Sequence, residues 1–384
     1  MELVDACMET IAGKPVSDPE GADERFMLRA LRLAERGRGT TSPNPMVGAV
    51  IVGDGPIIAE GWHERAGGLH AEAMALAQAG EEASGATVYV TLEPCAHHGR
   101  TPACVDALKA AGVSRVVLAM RDPNPDVKGG GWEALSSAGI EVVEGPYRQL
   151  AERQNEAYIK RVTTGLPFLT LKMAMSLDGR VATNTGISRW ISGEESRAEV
   201  HRMRAQSDAV MVGIGTVLRD DPELRARTGH EVDRQPLRVV VDWEARTPLS
   251  SKLADVSVAP TLIAISDRAP EKAVAALRSR GVEVLRAGEG GRVDLRGLLK
   301  ELSDREVTTV QCEGGPGLAA MLMQAGLVDK LAIFVAPMVI SGRDAPGLIG
   351  GEGIEEIAGA ARVRIDSVTA FGEDIRVVAY TATD

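Results

Sequence analysis

Twice along this chain, short apolar runs alternate with stretches whose apolar residues recur at helical spacing. The alternation restarts after Gly165-Leu166-Pro167. Such a pattern confines a chain to layered α/β architecture, because each strand must join a sheet and each helix must cover one of its faces. In the first half the predicted strands are 48–52, 87–94, 115–120 and 141–145, with helices over 22–36, from after His70 to Gly80, and near 102–111 and 131–138. In the second half the strands fall at 168–175, 208–213, 237–243, 261–266, 282–287, 308–314, 330–340 and 375–382. Helices there fall near 194–205, 270–280, 294–303 and 316–326. The closing strands have no helix between them, which predicts an antiparallel edge.

The chain's 384 residues suit two domains at about 150 residues each. We expect a flexible tail over 1–21, a first domain over 22–147, a linker helix over 148–166 and a second domain over 167–384. The polar helical stretch 147–165 reads equally well as a helix of the first domain. Apolar residues at 44% and charged residues at 25% exclude a disordered or fibrous chain. A net charge of −11 with 3% aromatics argues against nucleic acid as a partner, since that needs cations and stacking faces. The first residues carry neither a basic segment nor an apolar one, and the apolar stretch 331–340 is half a membrane span. The expectation is a cytoplasmic protein with no membrane partner, acting on small molecules and forming a homo-oligomer.

Four cysteines are too few and too scattered for a disulfide scaffold. Cys95 and Cys104 lie close together, and His70-Ala71-Glu72 opens a helix some twenty residues earlier. One imidazole and two thiolates leave the fourth position of a tetrahedral Zn2+ for water, the pattern of a catalytic metal site. Glu72 sits two residues from His70, off its helical face, which suits a carboxylate reaching the bound water instead of the metal. The spacing follows the H-x-E…P-C-x-x-C pattern of zinc nucleobase deaminases, except that eight residues separate the cysteines. A buried histidine beside two structural cysteines is the alternative.

The second half lacks a G-x-G-x-x-G run after any strand. Gly213-Ile214-Gly215-Thr216 follows a strand, but a tight turn explains it equally well. Gly314-Gly315-Pro316-Gly317 lies between a strand and a helix, where backbone N–H groups can approach a phosphate. An ordinary strand–helix turn is the alternative.

Taken together, Ser42-Pro43-Asn44-Pro45-Met46-Val47-Gly48, Gly61-Trp62-His63, the run from Thr91 to Pro102 and Asp122-Pro123-Asn124-Pro125 resemble the riboflavin-biosynthesis deaminases. The long cysteine loop is typical of that family. The resemblance implies a cytidine-deaminase-like three-layer α/β/α fold, zinc ligands His70, Cys95 and Cys104, and Glu72 as the proton shuttle. It also implies substrate contacts at Asn44, His63, His97, Asp122 and Asn124.

Farther on stand 172–180 (KMAMSLDGR), 188–192 (SRWIS), 204–209 (RAQSDA), 213–224 (GIGTVLRDDPEL) and 313–316 (EGGP). In this order they resemble the reductases of the same pathway, which are similar in fold to dihydrofolate reductase. That resemblance implies NADPH held by Ala174, Trp190, Ser192, Thr216, Asp220, Gly315, Pro316, Gly317, Leu318, Ala319, Ala320 and Met321. It implies substrate contacts at Lys172, Ser188, Arg204, Leu224, Arg227 and Glu313. The expected function is a bifunctional deaminase and reductase acting on a pyrimidine ribose-phosphate. The alternative is a nucleobase deaminase fused to a folate-type reductase.

Overall fold

The structure is a computed structural model that describes residues 19–96, 103–125, 130–229, 232 and 234–382. It divides into two compact units between Gly165 and Leu166. Most of the expected tail therefore lies outside the described residues, while its last three residues belong to helix α1 (Pro19–Glu35).

The first unit holds five strands: β1 (Gly48–Val52), β2 (Ile57–Trp62), β3 (Thr87–Val90), β4 (Arg115–Leu118) and β5 (Glu141–Glu144). Their order is β2-β1-β3-β4-β5, with β2 and β3 antiparallel to β1 and the rest parallel. Strand alternation sends Ala49 and Ile51 to one face and Val50 and Val52 to the other. On the first face lie helices α2 (Ala71–Ala79), α3 (Cys104–Ala110) and α4 (Gly130–Ser137), through Ala71, Ala75, Leu108 and Leu135. On the second lies α1, through Leu28, Leu31 and Leu33. Three layers result.

The stretch 147–165 forms two helices, α5 (Arg148–Gln154) and α6 (Glu156–Thr164), broken at Asn155. Both are fastened to the first unit. Gln154 donates to the Leu31 carbonyl and to Glu35, and buried Asn155 exchanges two hydrogen bonds with the Met46 backbone at 2.8 and 2.9 Å.

The second unit holds β6 (Phe168–Ser176), β7 (Ala209–Gly213), β8 (Leu237–Val241), β9 (Thr261–Ile265), β10 (Glu283–Arg286), β11 (Thr309–Cys312), β12 (Lys330–Ala336), β13 (Val363–Phe371) and β14 (Asp374–Thr381). The order is β10-β9-β8-β7-β11-β6-β12-β14-β13, parallel from β10 to β12 and antiparallel beyond, as the missing helices predict. Helices α8 (Ile214–Asp220) and α9 (Glu271–Ser279) cover one face through Val217, Val274 and Leu277. Helices α10 (Leu295–Asp304) and α11 (Pro316–Gln324) cover the other through Leu298, Leu299, Leu302, Leu318 and Leu322. Helix α7 (Glu194–Ala205) ties to β14 through the Glu199–Arg376 pair at 2.6 Å.

Three features depart from the sequence reading. Strand β2 went unpredicted because its buried positions are Ala59 and Gly61, too small to carry an apolar signal. Strand β13 turns Val363, Ile365 and Val368 outward, so no inward-facing apolar register marks it. Gly213 to Thr216 is no isolated turn: Gly213 caps α8, and the chain continues as helix to Asp220. Among the described residues no helix is long and apolar enough to cross a membrane.

Candidate active sites

In the first unit, three ligand atoms converge from three places on the sheet's helical face. His70 caps the N-terminus of α2, Cys95 follows the end of β3 by five residues, and Cys104 opens α3. Close packing makes this possible. A Cβ on Gly61 would sit 2.2 Å from the Ala71 carbonyl oxygen, so glycine alone lets α2 approach β2 this nearly. A Cβ on Gly131 would sit 2.0 Å from the Pro94 carbonyl oxygen, which sets α4 against the turn bearing Cys95.

His70 Nδ1 lies 3.1 Å from Cys104 Sγ and 3.5 Å from Cys95 Sγ, and the three donors lie within 4.8 Å of one another. Tetrahedral zinc with ordinary bond lengths would put such a nitrogen and sulfur about 3.6 Å apart. One nitrogen and two sulfurs at this separation fit zinc with a position open for water. Glu72 is buried beside them, and burial raises its carboxyl above the usual range. The Cys95 thiol is held well below its ordinary value, first by the Cys104 thiol donating to it and then by His70, while Cys104 is pushed up by the same pairing.

Around the cluster, the structure gathers several predicted contacts. His63 is buried; its Nδ1 faces the Leu69 carbonyl at 2.9 Å, and its Nε2 lies 3.1 Å from Asn44 Nδ2. Nδ1 therefore donates and Nε2 accepts, the neutral tautomer, consistent with burial lowering its pKa. His63 thus fixes both the approach to His70 and the Asn44 amide. Asp122 accepts from Tyr158 Oη at 3.0 Å and from the Asn124 backbone at 2.9 Å. His97 lies outside the described residues.

Two residues that the sequence reading passed over hold this arrangement. Buried Glu93 accepts from the backbone N–H of Asp122 at 3.2 Å and of Trp132 at 2.9 Å. Tyr158 on α6 anchors Asp122. The sequence signal for Glu93 was its place in Glu93-Pro94-Cys95, a buried acid directly before a ligand turn.

In the second unit, a cavity of about 490 Å³ opens over the C-terminal ends of β8, β7, β11 and β6. Ligands of open α/β sheets bind at such ends. Both glycine runs border it: Gly213 and Gly215 start α8, and Gly315 and Gly317 start α11, with backbone N–H groups that suit a phosphate. The cavity and its charges fit a dinucleotide.

Of the predicted contacts, Lys172, Ala174, Ser188, Thr216, Asp220, Glu313, Gly315, Pro316, Gly317, Leu318 and Met321 line this cavity. Ala319 and Ala320 do not; Ala319 is buried in the core under α11, and Ala320 is buried with its Cβ near Gly351. Leu224 is 2% exposed and belongs to the core under α8 and α9. Trp190 is 67% exposed, off the lining, with Arg197 stacked on its ring at 4.8 Å and donating to the Ser192 carbonyl at 2.5 Å. Arg227 reaches His201 and Glu223. Arg189 donates to the Asp220 carbonyl and so ties its loop to the end of α8.

Arg204 grips Glu313 with two hydrogen bonds, 2.6 and 2.8 Å, and donates to the Arg225 carbonyl. Burial pushes Glu313 up, but Arg204, Lys172 and Gln311 outweigh it and hold the carboxyl at about 2. Lys172 goes the other way: burial lowers its pKa, Glu313 opposes that, and Arg204 adds to it. Trp243, Arg219 and Arg246 also line the cavity; Arg219 stands within the 213–224 run but was given no role there, and no motif had marked the other two.

Comparison with known proteins finds relatives for both units. The family model for the cytidine and deoxycytidylate deaminase zinc-binding region matches residues 20–120, and the RibD C-terminal domain matches 167–377. The riboflavin biosynthesis protein RibD of Escherichia coli is 44% identical over 365 residues, covering 92% of this chain and 98% of that protein. RibD of Aquifex aeolicus is 44% identical over 354 residues, 92% and 97% of the two chains. Among solved structures, Acinetobacter baumannii RibD superposes with a TM-score of 0.86 at 40% identity, over 95% of this chain and 100% of that one. A diaminohydroxyphosphoribosylaminopyrimidine deaminase/5-amino-6-(5-phosphoribosylamino)uracil reductase of Thermotoga maritima gives 0.84 at 33%, over 95% and 100%. The chain belongs to the RibD family of riboflavin biosynthesis proteins, with a deaminase domain followed by a reductase domain.

Proposed function

We propose that the first unit removes an exocyclic amine from a diaminopyrimidine ribose-phosphate, and that the second reduces the ribosyl group of the product to ribityl with NADPH. The convergence of His70, Cys95 and Cys104 on one point beside buried Glu72 carries this reading. The three would hold Zn2+, whose chemistry when bound is to supply hydroxide from water near neutral pH. Glu72 takes the proton of that water and delivers it to the departing amine, which leaves as ammonia while a carbonyl takes its place. Asn44, oriented by His63, presents a donor and an acceptor to the pyrimidine edge. Asp122 and Asn124, held by Tyr158 and Glu93, are the further contacts.

In the second unit the chemistry supplied by NADPH is hydride donation, to the open-chain carbonyl or imine of the ribose. The starts of α8 and α11 would receive its phosphates. Glu313 stays ionised, because Arg204 holds it far below neutrality, so its role is to orient the sugar. Lys172 lines the same wall with a lowered pKa and can give a proton to the atom that gains charge, the oxygen of a carbonyl or the nitrogen of an imine. The acidic surface of the chain agrees with a small substrate.

The test is Glu72→Gln. Zinc content should stay at one per chain, deamination should fall by a factor of about a hundred or more, and reduction of already deaminated substrate should persist. Loss of both activities together would contradict the division of labour between the units.

A further inference from the structure

We propose that Gln311 is a positioning residue of the second unit, which fills one oxygen of the Glu313 carboxylate and leaves the other as the single acceptor offered to the sugar of the substrate. The proposal rests on the reductase reading above and deepens it. Gln311 lies on β11 two residues before Glu313, so strand alternation puts both side chains on one face, with Cys312 in the core on the other. Its partner in register on β6 is Thr170, and Lys172, two residues on, shares that face. Gln311 is only 1% exposed, and it spends its amide on Glu313: Nε2 donates to Oε1 at 2.8 Å. An ionised carboxylate only accepts, so the atom at this contact is the amide nitrogen.

A carboxylate has about four acceptor sites, two on each oxygen. The Arg204 fork takes one on each, Nε on Oε1 at 2.6 Å and Nη2 on Oε2 at 2.8 Å. By itself the fork leaves the two oxygens alike, with one open site each. Gln311 breaks this symmetry: it fills Oε1, and the one site that remains is on Oε2. Arg204 does not make that choice, and its own place is fixed by the hydrogen bond from Nη1 to the Arg225 carbonyl at 3.2 Å. Lys172 from β6 and His201 from α7 are coupled to Glu313 by charge. Glu313 lines the cavity together with Lys172. A sugar hydroxyl that donates to the one open site is held in one orientation, where two open sites would allow two.

Steady-state reduction of the deaminated ribose-phosphate by the full, zinc-loaded chain tests this, with melting temperature and ammonia release as checks of folding. Gln311→Met keeps nearly the same shape and has no donor. It should lower kcat for reduction about ten- to a hundredfold, with NADPH affinity by calorimetry and ammonia release within about twofold of wild type. The kinetic isotope effect with NADPH deuterated at the transferred position should rise, because hydride transfer becomes the slow step. Gln311→Glu donates only while protonated, and the like charge of Glu313 favours its protonated form. Its rate relative to wild type should therefore rise as pH falls, whereas the Gln311→Met deficit should not change with pH. A Gln311→Met protein with wild-type kcat and isotope effect overturns the proposal. So does one that loses NADPH affinity as much as kcat, and so does a Gln311→Glu rate that follows wild type at every pH. If Gln311→Met does not fold, the Gln311→Glu comparison decides. Folded wild-type protein that does not reduce the substrate defeats the reductase reading itself.

Discussion

Glu313 shows how much a single side chain owes to its neighbours. An isolated buried carboxyl would be protonated; this one is held at about 2 by the Arg204 fork, with Lys172 and Gln311 adding to it. Its folded pKa lies below its unfolded value of 4.5. The stability it contributes is therefore complete above that unfolded value and is lost as pH falls through the folded one. Melting temperature should lose this contribution between about pH 4.5 and pH 2. Glu313→Gln leaves Arg204 buried and uncompensated, so it should cost roughly 3 to 5 kcal/mol at neutral pH, and its melting curve should depend less on acid. An equally steep acid dependence in that variant would place the effect on other carboxylates.

At the scale of elements, the first site is a product of how closely turns and helices meet. Gly131→Ala would put a methyl against the Pro94 carbonyl oxygen and displace the turn that carries Cys95. Zinc per chain, measured by elemental analysis, should fall; full zinc content would show that the turn tolerates the shift. Asn155→Ala would strip the Met46 backbone of two hydrogen bonds, at a cost of about 2 to 3 kcal/mol in urea unfolding of the first unit. It should also raise the deaminase KM, because Asn44 lies two residues from Met46, and leave reduction as it was.

These elements also show what a sequence reveals. His70, Glu72, Cys95 and Cys104 were legible because metal chemistry restricts residue type and spacing, and the structure brings the ligand atoms of His70, Cys95 and Cys104 together beside buried Glu72. The parallel strands were legible because both their faces are apolar. Strand β2 was not, since small residues fill its buried face, and neither was β13, whose apolar residues point outward. Trp243 and Arg246 were invisible for another reason: a cavity wall is assembled across distant segments, and no spacing records it. Resemblance placed Ala319, Ala320 and Leu224 near ligand; the side chains of Ala319 and Leu224 pack in the core, and that of Ala320 is buried.

For the whole molecule, two chemistries on one chain imply two separable losses. Removal of metal with a chelator should abolish deamination and leave reduction of deaminated substrate intact, measured as ammonia release and NADPH oxidation. Equal loss of both would mean that the metal supports more than the first unit. The most direct test of the central claim follows both signals in one reaction, starting from the diaminopyrimidine ribose-phosphate with zinc-loaded protein and NADPH. The account predicts one ammonia released and one NADPH oxidised per substrate, with ammonia appearing first. NADPH oxidation ahead of ammonia, or no turnover by folded and zinc-loaded protein, would contradict it.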